Sequence, residues 1–212
     1  MPERVFTSVA AKWEALIDEV RRVHKTGRPI LLGTRSVGTS EHLSGLLTTE
    51  GFEHQVLNAV RHDQEAQIVA SAGLKERITV ATNMAGRGTD ILLGTGVAKL
   101  GGLHVIATER HESGRIDRQL YGRCARQGDP GSAQPFVSLE DELMQQHAHL
   151  VSVALARHSA DSDREISSMF SRILVDGAQR RAERVSLRQR KDVLRTDNWL
   201  DEYLGFAGKE LG

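Results

Sequence analysis

Short apolar runs alternate with longer amphipathic stretches along the first two thirds of this chain, and this alternation limits the fold most strongly. Residues 9–25 carry apolar side chains at helical spacing, and Gly27 and Pro29 follow the end of that stretch. Two further helical patterns cover 39–50 and 63–72. Five apolar runs between and after them are typical of buried strands: PILLGT, HQVLNA, RITVAT, LHVIATE and PFVSLE. The alternation predicts βαβ units, and therefore an α/β fold with a mostly parallel sheet flanked by helices.

The last third of the chain has a different pattern. After about residue 141 we predict no further strand, and 163–195 has the spacing of one long helix, which Gly177 could interrupt. The part of this helix from 180 to 195 is rich in arginine, which is typical of a solvated face; contact with an acidic partner, a lipid or a polypeptide is the alternative. We therefore divide the chain into an α/β domain, 1–144, and a helical segment, 145–212.

Composition narrows the class of protein. The 28 basic residues balance 28 acidic ones, so no net charge draws the chain to nucleic acid or to anionic lipid. A single cysteine, Cys124, excludes an internal disulfide and suits a reducing compartment. No apolar run approaches the roughly 18 residues of a membrane span, and the N-terminus lacks a signal-peptide pattern. We expect a cytosolic protein.

The first candidate site follows the strand RITVAT. Gly86 and Gly88 would let backbone N–H groups approach an anion, Arg87 supplies a cation, and Asp90 can accept a hydrogen bond from a ribose hydroxyl or hold Arg87. Open α/β sheets bind their ligands at such strand ends. Glycine-rich turns with an arginine and an aspartate also occur as purely structural features. This motif alone therefore does not distinguish a ligand-binding site from a structural turn.

The second candidate site is the arginine-rich stretch 109–129. Five arginines fall within 17 residues: Arg110, Arg115, Arg118, Arg123 and Arg126. If the stretch is largely helical, one stripe contains Arg115, Gln119, Gly122 and Arg126. Clustered guanidinium groups need anions, and two sources stay open. One is internal, from Glu109, Glu112, Asp117 and Asp129. The other is a bound polyphosphate, whose oxygens suit the arginine fork.

Several familiar sites are missing from the sequence. It has no G-x-x-x-x-G-K-[ST] motif to hold phosphates and Mg²⁺. The pair His111-Glu112 lacks a second histidine at zinc-protease spacing, so we expect no zinc and no other metal site. Cys124 lies between Arg123 and Arg126, which could lower the pKa of its thiol, but a small packed residue is the favoured interpretation.

The longest motifs of the chain closely resemble those of one family. ATNMAGRGTDI, GGLHVIATERHES, RQGDPGS and LEDELM resemble the second nucleotide-binding half of SecA, the bacterial preprotein-translocating ATPase. PILLGTRSVGTSE and LNAVRHDQEAQIVASAG match earlier segments of that half, so the resemblance extends from about residue 5 to 144. A weaker resemblance, through GAQRRAERVSLRQRKDVL, is to the start of the family's helical scaffold. The resemblance as a whole implies a RecA-like fold of the superfamily 2 helicase C-terminal type, followed by an α-helical C-terminal segment.

The resemblance also implies roles for the candidate residues. Asp90 would contact the nucleotide, with Arg87 and the two glycines Gly86 and Gly88 beside it. Arg123 and Arg126 match arginine fingers that reach the γ-phosphate of ATP. Arg115 matches an arginine that couples nucleotide state to the rest of the motor. Mg²⁺ would be held by the family's first half, which carries the phosphate loop and is not in this sequence.

The chain departs from the family pattern at three places within 109–129. Gly114-Arg115 stands where two arginines are usual, Tyr121 replaces an arginine, and Cys124-Ala125 replace Ser-Gly. The two finger arginines are retained. The change at Tyr121 leaves open only how the nucleotide state is coupled to the rest of the motor.

The function implied is the C-terminal motor portion of an ATPase that couples ATP hydrolysis to protein export, inactive without its first half. The partners implied are that first half, a protein-conducting membrane channel and unfolded preproteins, with no specific nucleic acid, and the location is cytoplasmic, on the inner face of the cytoplasmic membrane. Two alternatives stay open: a non-enzymatic remnant that binds an ATPase or membrane partner, and half of a nucleic-acid helicase. The neutral charge and the 4% aromatic content argue against the helicase.

Overall fold

A computed structural model describes most of the chain. The described residues are 1–57, 62–82, 90–148, 150, 153–154, 158, 165–166 and 168–207.

Strands and helices alternate along the described part of the α/β region. The strands are β1 (Arg4–Phe6), β2 (Ile30–Thr34), β3 (Gln55–Leu57), β4 (Ile78–Thr82), β5 (Leu103–Ala107), β6 (Gly131–Ser138) and β7 (Glu165–Ile166). The α-helices are α1 (Val9–His24), α2 (Val37–Thr49), α3 (His62–Ser71), α4 (Gly114–Tyr121), α5 (Glu142–His147) and α6 (Ser168–Ala207). Short 3₁₀ turns lie at Ala98–Leu100 and Arg126–Gly128.

These strands form one mostly parallel sheet in the order β3-β4-β2-β5-β6-β1-β7. The central strand β2 pairs in parallel with β4 on one side and β5 on the other, through Ile30 to Ile78 and Ile30 to His104. Only β7, at the edge, is antiparallel to its neighbour β1 in the described chain. The predicted α/β fold class and the five predicted strands are confirmed.

The two faces of the sheet follow from side-chain alternation. Ile30 and Leu32 of β2 face the cluster that α1 and α2 cover, whereas Leu31 faces the cluster of α3 and α4. Gly33 of β2 leaves room for α4, because a Cβ atom there would clash with the side chain of Leu120. The helix that carries the arginine-rich motif is therefore packed directly on the sheet.

The long helix α6 joins this core through its first half. Leu174, Val175, Ala178 and Ala182 are buried against β1, β6 and α5. Beyond them the helix is exposed, as at Val185 and Leu187. No helix in the described ranges is both long and apolar enough to cross a membrane.

Some sequence predictions were wrong in the last third. The strand β7 lies after residue 141, where no strand was expected, and α6 begins at Ser168 instead of 163. A two-residue strand is too short to show an alternating pattern. The helix also continues through Gly177, because one glycine costs only about 1 kcal/mol and its buried neighbours offset that loss. The division at residue 144 stays a prediction.

Candidate functional site

The first motif is only partly described by the structure. Gly86, Arg87 and Gly88 lie outside the described residues, so their place in a nucleotide site stays a prediction. Asp90 is described, and its side chain is 43% exposed. The end of β4, Thr82, lines a cavity together with Arg123 and Arg126. The two motifs therefore meet at one end of β4.

Asp90 and Arg126 contact each other directly. The Nη1 of Arg126 donates a hydrogen bond to the Asp90 carboxylate, and its Nε donates to the carbonyl oxygen of Gly122, 3.0 Å away. The Arg126 side chain is 36% exposed. Water reaches both partners, so the pair is held weakly and a stronger anion can compete with it. Asp90 thus holds Arg126, a contact that the spacing of 36 residues did not predict.

The backbone between α4 and Arg126 determines which arginines share a face. α4 ends at Tyr121, and Ala125 takes the left-handed conformation with a φ of 56°. A residue in that conformation cannot continue a right-handed helix. Arg126 therefore does not lie on one helical stripe with Arg115 and Gln119, because the stretch is not helical as far as Arg126. Arg115 and Gln119 stay on the helix, whereas Arg123 and Arg126 lie in the turns beyond it.

Arg115 faces a different cleft from the other candidate arginines. It is exposed on α4 and lines a cleft of about 410 Å³ between α4 and α6, opposite Glu183, Ser186 and Arg190. Arg115 therefore lies where α4 faces the long helix α6. That position is compatible with a coupling role.

A buried cluster around Asp117 anchors the start of α4. The carboxylate is 1% exposed and accepts four hydrogen bonds. The donors are His111 N at 3.0 Å, His111 Nδ1 at 2.8 Å, Arg110 Nη1 at 2.9 Å and Gln179 Nε2 at 2.7 Å. Arg110 also donates from Nε to Glu3, 2.7 Å away. The prediction that a carboxylate of the same stretch neutralises an arginine is thus confirmed for Arg110, through Asp117.

The same cluster fixes α4 to the long helix. Gln179 of α6 also donates to the carbonyl oxygen of His111 at 2.8 Å, and Glu183 accepts from the Gly114 backbone N–H at 2.9 Å. Sequence reasoning missed Glu3, Gln179 and Glu183, because they are distant along the chain and no local pattern marks them. The anchored end of α4 is thus tied to both the sheet and α6.

Two pKa shifts follow from these surroundings. Burial alone would raise the pKa of Asp117, but the hydrogen bonds from His111 and the charge of Arg110 outweigh burial and hold it below its usual value. Burial raises the pKa of the Cys124 thiol, whose Sγ donates to the carbonyl oxygen of Tyr121 at 2.9 Å. Burial therefore opposes an acidified thiol at Cys124, and its packing against the cluster of α3 and α4 supports the interpretation as a packed residue.

Two solved structures with a similar fold come from DEAD-box proteins. One is the E. coli DEAD-box protein SrmB bound to RraA, with a TM-score of 0.55, 20% identity, and coverage of 67% of this chain and 79% of that one. The second domain of the DEAD-box helicase Mss116p, bound to an RNA duplex, gives a TM-score of 0.52 at 15% identity, with coverage of 68% of this chain and 56% of that one. At such identities the likeness shows the fold alone. The fold is the RecA-like α/β type found in these helicase domains, as predicted.

The sequence comparisons define the family within that fold class. The model described as "SecA P-loop domain" matches residues 1–99 and 95–161. The chain is 50% identical over 206 residues to "Protein translocase subunit SecA 2" of Nitrosospira multiformis, and 47% identical over 203 residues to "Protein translocase subunit SecA" of Halothermothrix orenii. These alignments cover 97% and 95% of this chain. The chain belongs to the SecA family, which confirms the resemblance.

The chain is much shorter than these relatives. It spans 31% of the Nitrosospira protein and 24% of the Halothermothrix protein.

Proposed function

We propose that this chain forms the second wall of an ATP cleft in a SecA-type motor that drives protein export. The first wall, with the phosphate loop and the Mg²⁺ ligands, would come from the other nucleotide-binding half. The described residues contain no cluster of three or more histidine, cysteine, aspartate or glutamate side chains that could hold a metal.

The contact between Asp90 and Arg126 is the observation that supports the proposal most directly. Two residues expected to face one nucleotide, from separate motifs, lie within hydrogen-bond contact at the same end of β4. Arg123 lines the same cavity as Arg126 and Thr82, the last residue of β4. The arrangement offers two guanidinium groups to an anion and a carboxylate to a ribose hydroxyl.

The chemistry proposed for the arginines is electrostatic. As a γ-phosphoryl group transfers, negative charge spreads over its oxygens, and a positioned guanidinium stabilises that charge. Arg126 would exchange the Asp90 carboxylate for a phosphate oxygen, and Asp90 would accept a hydrogen bond from a ribose hydroxyl. Arg123 would act beside it, and Arg115 would transmit the nucleotide state to α6 across the cleft between α4 and α6.

Partners and location are proposed from the family. We expect the other nucleotide-binding half, a protein-conducting channel and unfolded preproteins as partners, in the cytoplasm at the inner face of the membrane. By itself the chain should bind ATP weakly and release no phosphate from it. The phosphate loop, which such motors use to hold the phosphates, is missing from the sequence.

A chimera provides the test of this proposal. This chain would replace the aligned segment of the Nitrosospira relative, to which it is 50% identical. In the chimera, Arg126→Ala and Arg123→Ala should each lower steady-state phosphate release by about 10³–10⁵-fold. Binding of ATP should change by less than about tenfold, because a finger acts mainly in the transition state.

Arg118→Ala is the matched control, since Arg118 is an exposed arginine of α4 with no proposed role. It should leave turnover near that of the unmodified chimera. Near-normal turnover in both finger variants would show that these arginines serve internal ion pairs. A chimera that folds and binds ATP but releases no phosphate would favour the non-enzymatic alternative.

A further inference from the structure

We propose that the cavity between α3 and α4 binds a small amphiphilic acid, with an apolar body that carries one oxygen and a carboxylate at its outer end. The cavity has a volume of about 340 Å³, within the usual range for small-molecule pockets. It lies on the face of the sheet opposite α1 and α2. No step of the proposed ATP chemistry uses its interior.

The inner surface of the cavity is almost wholly apolar. Leu31 of β2, Leu57 of β3 and Val69 of α3 line it, and Ala81 of β4 contributes only a methyl group. All four side chains belong to the same buried cluster. Such a surface favours an aliphatic or aromatic body, because burying it removes apolar area from water.

One buried hydroxyl interrupts this apolar surface. Thr79 lines the cavity and is 1% exposed, and its Oγ1 has no hydrogen-bond partner among the residues that the structure describes. A buried hydroxyl without a partner destabilises the fold, so native proteins rarely keep one without a reason. An oxygen on the bound molecule would satisfy it. Thr79 therefore favours a ligand that carries one oxygen on an otherwise apolar body.

The outer end of the cavity is basic. Arg123 and Arg126 line it together with Thr82, the last residue of β4, and the Arg126 side chain is 36% exposed, whereas Thr79 is buried. A guanidinium group binds a carboxylate with two parallel hydrogen bonds. The ligand carboxylate would compete with Asp90 for Arg126. The buried hydroxyl and the partly exposed arginines thus favour a molecule with an oxygen at one end and an acid at the other.

Calorimetry with three related probes tests the inference on the purified chain. The probes are 3-(4-hydroxyphenyl)propionate, 3-phenylpropionate, which lacks the hydroxyl, and 3-(4-hydroxyphenyl)propionamide, which lacks the charge. The hydroxylated acid should bind best, roughly fivefold more tightly than the acid without the hydroxyl. The amide should bind at least about tenfold more weakly than the acid.

Two variants locate the binding in the cavity. Thr79→Val should abolish the affinity difference between the two acids and raise the melting temperature of the free protein, since it removes the unpaired hydroxyl. Ala81→Val fills part of the cavity and should weaken binding of all three probes about tenfold or more. Thr34→Val is the matched control, because Thr34 is a buried threonine of β2 outside the cavity whose hydroxyl bonds to the Ser36 carbonyl oxygen.

Other results would overturn the inference. Binding that Ala81→Val leaves unchanged would place the probes on the exposed arginines alone. No heat from either acid at roughly millimolar concentration would show that the cavity takes no such ligand. These outcomes are independent of phosphate release in the chimera, so either proposal can fail without the other.

Discussion

Two arginine–aspartate contacts involve arginines of the stretch 109–129, and they differ in burial. Asp117 is 1% exposed and holds Arg110 together with His111 and Gln179. The Arg126–Asp90 pair is 36% and 43% exposed. The first contact anchors α4 to the sheet and to α6, whereas the second leaves its arginine accessible to an anion. Burial, more than residue type, therefore separates structural arginines from those available for chemistry.

The largest difference should appear in stability after removal of each aspartate. Asp117→Ala removes one of the carboxylates paired with Arg110, whose side chain is only 16% exposed, and should lower the free energy of unfolding by about 3–5 kcal/mol. Asp90→Ala removes an exposed ion pair and should change it by no more than about 1 kcal/mol. Urea unfolding followed by circular dichroism measures both values.

Asp129→Ala is the control for loss of an exposed carboxylate near the same motif, and should stay close to the wild-type protein. Equal losses of stability for Asp117→Ala and Asp90→Ala would break the comparison. The exposed pair would then be part of the folded framework, and its arginine would be a poor candidate for a finger.

A smaller effect is expected from polyphosphate binding. At about ten times its dissociation constant, pyrophosphate should stabilise the chain by about 1.4 kcal/mol, which corresponds to about 3–6 °C in melting temperature. Chloride at equal ionic strength should do less. Asp90→Asn should enlarge the pyrophosphate effect, since it removes the competing carboxylate from Arg126. Asp117→Asn should not enlarge it. The same shift in all three proteins would mean that pyrophosphate binds elsewhere.

The smallest effect concerns pH and a single carboxyl group. The pKa of Asp117 in the folded chain lies below its usual value of 3.8, so its stabilising contribution is present above that value and is lost as pH falls through the folded pKa. The difference in unfolding free energy between wild type and Asp117→Asn should be constant at neutral pH and shrink below about pH 3.8. Burial raises the pKa of Glu3, whose contribution has the opposite sign, but Glu3 is present in both proteins. A pH-independent difference would show that the carboxylate charge contributes nothing.

The sequence alone determined the α/β class and the five strands β2 to β6. Runs such as PILLGT and RITVAT are buried on both faces, so they are continuous in apolar residues and stand out from the helical spacing around them. It also located both motifs and the family. It did not reveal β1 and β7, which are held by pairing with strands that are distant along the chain, β1 with β6 and β7 with β1.

Tertiary structure decided the roles that depend on contacts between distant residues. The five arginines of 109–129 are equivalent in the sequence, yet Arg110 is held by Glu3 and Asp117, Arg126 by Asp90, and Arg115 faces α6. The contact of Arg126 with Asp90 depends on the end of α4 at Tyr121 and on the left-handed Ala125 beyond it. Residue spacing fixes which side chains share one helix, but a turn outside the helix and partners 36 to 107 residues away are fixed only when the chain packs.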